Sequence, residues 1–529
     1  MTERASGSAA LVRESWAPED RPLRTVARNV ATRYLLVVAE MAVGLITLPF
    51  NLHHLGTEAY GLWMLTAGVT IHFSILDLGY GGAMVKFVAQ YRAHKDTRAL
   101  NEIASTLFFV FATIGVLAYL VVVGLAFNLD HIFKITPAQA ATGKWILLVI
   151  GVNVAINFPF SVYGGVSNGF QRYDINNVTA IVTNITAAVV NVVVLLLGFG
   201  LLPLVMATTF VRVTAYFVYR RNAFRVFPAL RISPSLFRRE RLREVTGFSV
   251  YSSIIDWANK LNYELDEIVI GIFLGSAPVA VWAVADRIAS SIQRLTNQGN
   301  AVLLPVVVDS DTTNRVSRLQ RVLLEGTRLS LATVMPIAIA VIVLADPLIR
   351  GWLGSEVIGA VPVIQILAFA VMLRVGNATS TTVLKGSGQV RRVAMVNIVT
   401  GLVNLALSSL LIKPFGLVGV AVGTLIPIAV ASIFVLFPAA CRRVDVPVGH
   451  ALHFAAWPAV WPAAIVAVCL LGIQLVSPGS LLAVVAEAAF ASVLYLGLFV
   501  LAIGRHDRGE YVAKLMTIMG RGNRLVPVA

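Results

Sequence analysis

The sequence has little charge and almost no cysteine. Only 13% of its 529 residues are charged and 57% are hydrophobic, whereas a soluble domain carries about 25% charged residues. The mean hydropathy is +0.81. The two cysteines, Cys441 and Cys469, are too few for a disulfide framework or a cysteine-rich metal site. This composition excludes an ordinary soluble enzyme, a collagen and a disordered chain, and it is typical of a polytopic membrane protein.

The sequence also lacks nucleotide-binding motifs. It contains no Walker loop and no GxGxxG followed by an acidic ribose contact, so energy for any transport must come from an ion or substrate gradient. We predict neither a cofactor nor a metal. The adjacent His53 and His54 fall in a predicted external loop, where solvated imidazoles are commoner than metal ligands.

Long apolar segments recur along the chain, and each can cross a ~30 Å hydrocarbon core as a helix. We predict an all-α polytopic membrane protein with fourteen transmembrane helices, because barrel strands need only about ten alternating residues. The seventh and eighth spans are the most polar. The spans are 31–52, 62–84, 105–127, 145–168, 175–198, 201–219, 247–272, 279–304, 322–344, 362–384, 393–412, 417–438, 455–475 and 481–503.

The basic residues lie almost entirely on one side of this topology. The chain has 42 Lys and Arg against 27 Asp and Glu, a net charge of +15. Alternating the loops places 32 of the 42 on one side and four on the other, and six lie within spans. Cytoplasmic loops of membrane proteins carry this excess. We therefore predict that both termini are cytoplasmic and that the charge reflects topology and anionic lipid, not nucleic acid.

The chain repeats itself at an offset of about 216–219 residues. HLGTEAYGLW, which ends at Trp63, matches FLGSAPVAVW, which ends at Trp282. The further matches are Gly169 with Gly386, Gly200 with Gly416, Thr208 with Thr424, and the pair Asn184 and Asn191 with the pair Asn397 and Asn404. Each half contains an even number of spans, so the two halves share one orientation and form a parallel repeat.

The repeat predicts two parallel six-helix lobes plus two C-terminal helices. Such a fold has a cavity between its lobes, which can rock to give alternating access. The predicted regions are a disordered cytoplasmic tail (1–27), an N-lobe (28–219), a basic linker (220–246), a C-lobe (247–438), helices 13 and 14 (439–503) and a cytoplasmic C-terminal tail (504–529). The linker should contain a short amphipathic helix that starts at Ser233-Pro234 and lies on anionic lipid.

Several segments resemble a known family. ARNVATRYLLVVAEMAVGLITLPF, then HLGTEAYGLW, then SILDLGYGGAMVKFVAQY is similar to the start of bacterial polysaccharide-biosynthesis transporters. These are lipid-linked oligosaccharide flippases of the multidrug/oligosaccharidyl-lipid/polysaccharide exporter superfamily. The resemblance covers roughly residues 28–438. Its motifs belong to the fold, and none is a catalytic fingerprint.

The resemblance implies a function and a location. The substrate would be an undecaprenyl-pyrophosphate-linked repeat unit that crosses from the inner to the outer leaflet of the bacterial cytoplasmic membrane. The partners would include a polysaccharide polymerase and chain-length or export machinery. The protein would not be an enzyme. Coupled antiport and facilitated flipping both remain open.

Charged residues at membrane depth are the candidate site, because burying them in lipid is costly unless they face a cavity or a partner. In the first half they are Glu40, Asp77 and Arg212. Asp77 and Glu40 are candidates for coupling a proton or sodium ion. Arg212 is a candidate contact for the substrate.

The second half is richer in such residues. Arg287 and Arg294 lie one heptad apart with Ser290 and Ser291 between them. Two guanidiniums at this spacing can bind a diphosphate bidentately. We predict a cationic cavity of Arg287, Arg294, Arg374, Lys260 and Arg212. Lys260 also belongs to a charged stripe on span seven, whose members can neutralise one another; the others are Asp256, Glu264 and Glu267.

Other functions are compatible with the same sequence features. A peptidoglycan-precursor flippase or a cation-coupled drug exporter belongs to the same superfamily, although drug exporters usually have twelve spans. A membrane polymerase or glycosyltransferase would need charged clusters on a sizeable external loop, and the predicted external loops are short. A structural scaffold would not explain the polar stripes.

Overall fold

Every regular element that the computed structural model describes is helical, and the description covers residues 22–247, 249, 265–296, 303–476 and 479–503. The prediction of an all-helical polytopic membrane protein is confirmed. The first α-helices are α1 (Pro22–Ile71), α2 (Tyr80–Ala93), α3 (Thr97–Phe127), α4 (Leu129–Ile132), α5 (Pro137–Gly169), α6 (Tyr173–Leu196), α7 (Leu201–Val226), α8 (Asp266–Phe273) and α9 (Ser276–Thr296). The later ones are α10 (Leu303–Thr312), α11 (Val316–Trp352), α12 (Ala360–Gly376), α13 (Ala378–Gly386), α14 (Val390–Val430), α15 (Phe437–Arg443), α16 (Val448–Ala451), α17 (Trp457–Gln474) and α18 (Leu481–Ala502).

Ten helices in the described residues are long and apolar enough to cross a membrane. Two of them exceed one bilayer crossing, Arg28–Thr70 with 43 residues and Val390–Arg443 with 54. Each bends at a glycine with positive φ, Gly56 at 73° and Gly416 at 57°, where a side chain would be strained. Predicted span one and the start of span two share the first helix, and spans eleven and twelve share the second. Spans seven and eight overlap residues outside the description, so the count of fourteen stays a prediction.

Local sequence signals fix where the helices begin. Asp96 accepts a hydrogen bond from the Ala99 N–H at 2.9 Å and caps α3. α5 starts with a capping box in which the Thr136 hydroxyl accepts from the Gln139 N–H and the Gln139 side chain accepts from the Thr136 N–H. These side chains satisfy backbone donors that have no partner inside the helix. α1 already begins at Pro22, inside the predicted N-terminal tail.

The chain divides into two compact units, Met1–Ala283 and Val284–Ala529. In the first unit α5 packs against α2, α3 and α7, and α6 packs against α1 and α7. In the second unit α11 packs against α12, α17 and α18, and α12 packs against α14. The lobe boundaries drawn from the repeat, at residues 219 and 247, stay a prediction.

Two glycines that the repeat pairs have matching contacts in the two units. A Cβ atom on Gly169, at the end of α5, would lie 2.5 Å from Cγ1 of Val88 on α2. A Cβ atom on Gly386, at the end of α13, would lie 2.5 Å from Cγ1 of Val307 on α10. The same close contact at the repeat offset is what a duplicated bundle would contain.

The two copies of the repeated motif pack directly against each other within the first unit. A Cβ atom on Gly61 would lie 1.9 Å from the Ser276 carbonyl oxygen. Shortly before Ser276 in the chain, the Gly271 carbonyl accepts from the Lys134 N–H at 3.1 Å. A Cβ atom on Gly271 would lie 2.4 Å from Leu65. Small residues thus bring α1 into backbone contact with α8 and α9, as in many packed membrane helices.

We predict that Gly61→Ala destabilises the protein, because the added methyl group meets a backbone carbonyl that cannot rotate away. Overpacking of this kind lowers the free energy of unfolding by about 1–3 kcal/mol. The matched control is Gly124→Ala, where the added Cβ atom has no neighbour within 4 Å. Chemical unfolding in detergent micelles should show a loss for the first variant only, and equal stability would contradict the described packing.

Candidate functional site

The predicted second span, residues 62–84, is not a continuous helix. α1 ends before a 3-10 turn at His72–Asp77, and α2 begins only at Tyr80. Leu78 and Gly79 between them have φ angles of 51° and 72°. Non-helical backbone at membrane depth is tolerated where protein encloses it or where it lines a cavity, and such breaks form binding sites in many transporters. The break is therefore a candidate functional site.

Asp77, a predicted ion-coupling residue, lies at this break and is half-buried. Its carboxylate oxygens accept from the Gly81 N–H at 3.2 and 3.4 Å. The side chain thus caps the first turn of α2. Glu40, the other predicted coupling residue, is half-buried on α1. Ion coupling by either carboxylate stays a prediction.

His72 begins the same break and was missed in the sequence. Its Nδ1 lies 2.6 Å from the Gly68 carbonyl oxygen, and because a carbonyl only accepts, we assign the proton to Nδ1. Its Nε2 is buried and has no hydrogen-bond partner among the described residues. A search for intramembrane Lys, Arg, Asp and Glu passes over histidine, although its mid-span position was a usable signal.

Acidic side chains of α8 lie next to the break. A Cβ atom on Gly68 would lie 2.3 Å from Glu267 Oε2, so this carboxylate rests on the backbone one turn before His72. The neighbouring Asp266 is buried. Lys260, which the sequence placed on the same charged stripe as Glu267, lies outside the described residues.

Three predicted substrate arginines lie in the second unit. Arg287 is half-buried and Arg294 is exposed on α9, and Arg374 is half-buried on α12. Arg374 Nη1 donates to Gln293 Oε1 at 2.8 Å. Because Gln293 adjoins Arg294, this bond brings Arg374 to the segment of α9 that carries the other two arginines. The sequence offered no signal for the contact, whose partners are 81 residues apart.

The serines between the arginines of α9 are already engaged. The hydroxyls of Ser290 and Ser291 donate to the Arg287 carbonyl oxygen at 3.3 and 2.7 Å. A serine hydroxyl has one proton to donate and can still accept. In this arrangement the two side chains can therefore accept from a sugar hydroxyl but cannot donate to one.

Arg212, the remaining predicted contact, lies on α7 in the first unit and is exposed. It forms no ion pair within the part of the chain that the structure describes. One turn further along α7, Tyr216 donates to Asn153 Oδ1 at 2.9 Å. This bond fixes α7 against α5 and thereby sets the position of the segment that carries Arg212.

The basic linker, residues 220–246, docks on the start of α3. Asn101 donates to the Ala229 carbonyl at 3.0 Å and accepts from the Arg231 N–H at 2.9 Å. Ser105 donates to the Arg231 carbonyl at 3.2 Å. The side chains of α3 thus pair the linker backbone much as a neighbouring strand would.

The linker helix begins later than predicted. Ser233 caps a single 3-10 turn at Pro234–Leu236, and the helical conformation resumes at 239–247. The Arg238 N–H donates to the Thr106 hydroxyl at 3.0 Å between these two segments. The Ser233-Pro234 signal thus marks the 3-10 turn, and the short helix of the linker starts at residue 239.

A buried carboxylate anchors the linker. Glu102, whose side chain is 9% exposed, forms ion pairs with Arg98 at 3.1 Å, Arg241 at 3.3 Å and Arg238 at 3.8 Å. Arg241 also donates to the Tyr91 hydroxyl at 2.9 Å. Three guanidiniums compensate the loss of water around one carboxylate, which an isolated buried charge could not achieve.

Burial and the hydrogen bond to Glu244 raise the pKa of Tyr91 to about 12, so Tyr91 remains a donor at physiological pH.

Other arginines of the linker take no part in the ion pairs with Glu102. Arg231, Arg239 and Arg243 are exposed on the docked linker. Their contact with anionic lipid stays a prediction.

Comparison with known proteins places these features in a family. The chain is 22% identical over 414 residues to a probable flippase, AglR, of Haloferax volcanii, covering 77% of this chain and 82% of that protein. It is 21% identical over 369 residues to the succinoglycan biosynthesis transport protein ExoT of Rhizobium meliloti, covering 69% of this chain and 70% of that protein.

Solved structures and a family model agree with these relatives. The fold is similar to that of the lipid II flippase MurJ in an inward closed conformation, with a TM-score of 0.69 and 12% identity over 89% of this chain and 98% of that one. At this identity the likeness concerns the fold alone. The model of the polysaccharide biosynthesis protein family matches residues 55–362, more than half of the chain. The chain therefore belongs to the polysaccharide biosynthesis protein family.

Proposed function

We propose that the protein moves an undecaprenyl-pyrophosphate-linked oligosaccharide repeat unit from the inner to the outer leaflet of the bacterial cytoplasmic membrane. Its family membership, its relatives that are named as flippase or transport proteins, and its MurJ-like fold support this proposal. The product would be a surface polysaccharide such as an exopolysaccharide, O-antigen or capsule. Both termini would face the cytoplasm.

The observation that carries the proposal is the bond between Arg374 and Gln293. It brings Arg374 of α12 to the segment of α9 that carries Arg287 and Arg294. Guanidinium groups bind phosphate oxygens through two parallel hydrogen bonds, and they remain charged when partly desolvated. Arg287, Arg294 and Arg374 would neutralise the pyrophosphate while it crosses the membrane. Lys260 and Arg212 are further candidate contacts for the substrate.

The remaining parts of the substrate need different surroundings. The polyprenyl tail is apolar and can stay in the bilayer, where burial needs no special contact. The glycan carries hydroxyl groups that must replace their water partners, and Ser290 and Ser291 can accept hydrogen bonds from them. No covalent bond of the substrate is made or broken, so the transport cycle consists of binding, a conformational change and release. Alternating access between the lobes would supply that change.

Deletion of the gene tests the transport step. We expect lipid-linked repeat units to accumulate on the cytoplasmic face and surface polysaccharide to be lost. Radiolabelled lipid extracts and an external glycan stain measure the two effects. Normal glycan export with new drug sensitivity would indicate a drug exporter instead, and loss of peptidoglycan synthesis would indicate a peptidoglycan-precursor flippase. Unpolymerised units on the outer leaflet would indicate a polymerase.

Substitution of the arginines tests the site. Arg287→Ala, Arg294→Ala and Arg374→Ala should each lower export in the complemented deletion strain at unchanged protein level. A hydrogen bond to a charged group contributes about 1.5–3 kcal/mol, which corresponds to a loss of about tenfold or more. Arg374→Lys keeps the charge but not the planar fork, so we expect it to restore export only in part.

Arg391→Ala provides the matched control, because Arg391 is exposed in a predicted cytoplasmic loop. It should leave export unchanged. Full export by the Arg287→Ala, Arg294→Ala and Arg374→Ala variants would refute the cationic site while leaving the family assignment intact.

The exposed arginines of the linker should bind anionic phospholipid. Replacing Arg231, Arg239 and Arg243 together with Gln should weaken retention of phosphatidylglycerol by the purified protein, with about 1 kcal/mol lost per charge. Native mass spectrometry or lipid exchange measures the effect, which added salt should diminish in the wild type. Glu356→Gln, a change of an exposed acid in a predicted external loop, is the control. Equal retention by all forms would show that the linker does not contact lipid.

A further inference from the structure

His72 differs from the other histidines that share its local hydrogen bond. Within the described residues, His54 and His94 also place Nδ1 against the carbonyl oxygen four residues earlier, each at 2.9 Å. Both of these side chains are exposed, so Nε2 can reach water. In His72 the same bond is 2.6 Å long, and Nε2 is buried without a hydrogen-bond partner.

This geometry distinguishes the two protonation states of His72. With Nδ1–H donating to Gly68, the neutral ring leaves only a lone pair at Nε2. A second proton at Nε2 would create a positively charged donor with no acceptor in the described surroundings. A buried charged donor without a partner is strongly disfavoured. The described conformation therefore offers no acceptor to a proton on Nε2.

Two acidic groups lie near the break that His72 begins. Asp77 ends the same 3-10 turn, and Glu267 of α8 lies against Gly68, one turn before His72. α3 also contacts the turn, and its charged side chains, Arg98 and Glu102, lie in its first two turns and form an ion pair with each other at 3.1 Å. Glu267, one turn away against Gly68, and Asp77 are thus the described carboxylates that a protonated His72 could meet after a rearrangement.

The backbone at the break can allow such a rearrangement. Residues 72–79 are outside the regular α-helix, so rotating them does not break a continuous ladder of helical hydrogen bonds. Leu78 has a φ of 51°, a conformation that costs energy for a residue with a side chain and that a change of state can relieve. The break thus joins an unpartnered imidazole nitrogen to a conformationally adjustable segment.

We propose that His72 is a proton-binding site that couples proton uptake to the conformational change of the transporter. A proton from water binds the Nε2 lone pair in a second conformation, in which Nε2–H reaches a carboxylate or water. The return to the described conformation releases that proton to water. Because only the second conformation offers Nε2–H an acceptor, a proton gradient biases the populations of the two conformations. The transport part of this proposal rests on the proposed function, whereas the protonation part does not.

The first experiment uses the purified protein without substrate. His72→Asn keeps an N–H that can donate to Gly68 but cannot titrate, and His54→Asn makes the same change at an exposed position with the same local bond. Nitroxide labels at Lys95→Cys and Arg391→Cys, with Cys441→Ala and Cys469→Ala to remove the native thiols, report the distance between two predicted cytoplasmic loops. Spectra from about pH 5 to about pH 8 span the ordinary titration of histidine near about 6.5.

We expect the distance distribution of the wild type and of His54→Asn to shift with pH, and that of His72→Asn to remain constant. The same pH dependence in His72→Asn and in the wild type would overturn the proposal. If His72→Asn is recovered poorly from the membrane, His72→Gln provides a second non-titrating form, and it should also lose the shift.

The second experiment measures flipping of a fluorescent polyprenyl-pyrophosphate-linked oligosaccharide in vesicles with an imposed pH gradient. The gradient should stimulate the wild type and His54→Asn about fivefold or more, within the range of known allosteric couplings, and His72→Asn less than about twofold. If His72→Asn loses the pH-dependent shift but neither the wild type nor any variant flips the lipid, the proposed function is refuted and the protonation site is retained. Full stimulation of His72→Asn would overturn the coupling.

Discussion

The hydrogen-bonding needs of the backbone in lipid are the constraint on which this structure depends. No water is available in the hydrocarbon core, so each spanning segment must satisfy its own N–H and C=O groups as a helix. Interruptions are possible only where other protein groups or water take over the missing bonds. The break at His72–Asp77 meets this condition, since Asp77 binds the Gly81 N–H and His72 binds the Gly68 carbonyl. The break therefore also carries two titratable side chains, His72 and Asp77.

The same constraint changes how the helices hold together. Lipid is as apolar as leucine, so packing in the membrane relies on close contact and on polar bonds between helices. Gly61 and Gly271 provide that contact between α1 and the α8–α9 region, where a side chain on either residue would collide with its neighbour. Outside the predicted membrane region, Glu102 and its three arginines fix the linker instead. Ion pairs thus hold the linker, and close contacts at glycine hold α1 against the α8–α9 region.

Much of the fold could be predicted, because periodic hydrophobicity and loop charge record the membrane directly. The helical class, most of the spans and the family follow from segment length, repeated motifs and composition. The candidate site was less accessible. Arg287 and Arg294 could be paired by their heptad spacing, but the bond from Arg374 to Gln293 joins separate helices. His72 was missed because the prediction considered only Lys, Arg, Asp and Glu at membrane depth, although the mid-span position of a histidine was a usable signal.

By itself, the sequence determined that this protein is a polytopic helical bundle of the polysaccharide biosynthesis family, with its basic residues concentrated on one predicted side. Those properties depend on local composition, which each segment expresses on its own. Only the tertiary structure decided that span two breaks at His72, that Glu267 rests against Gly68 and that the linker docks on α3. Those features depend on contacts between segments up to about 200 residues apart. Their energies come from burial and geometry, which one-dimensional patterns do not encode.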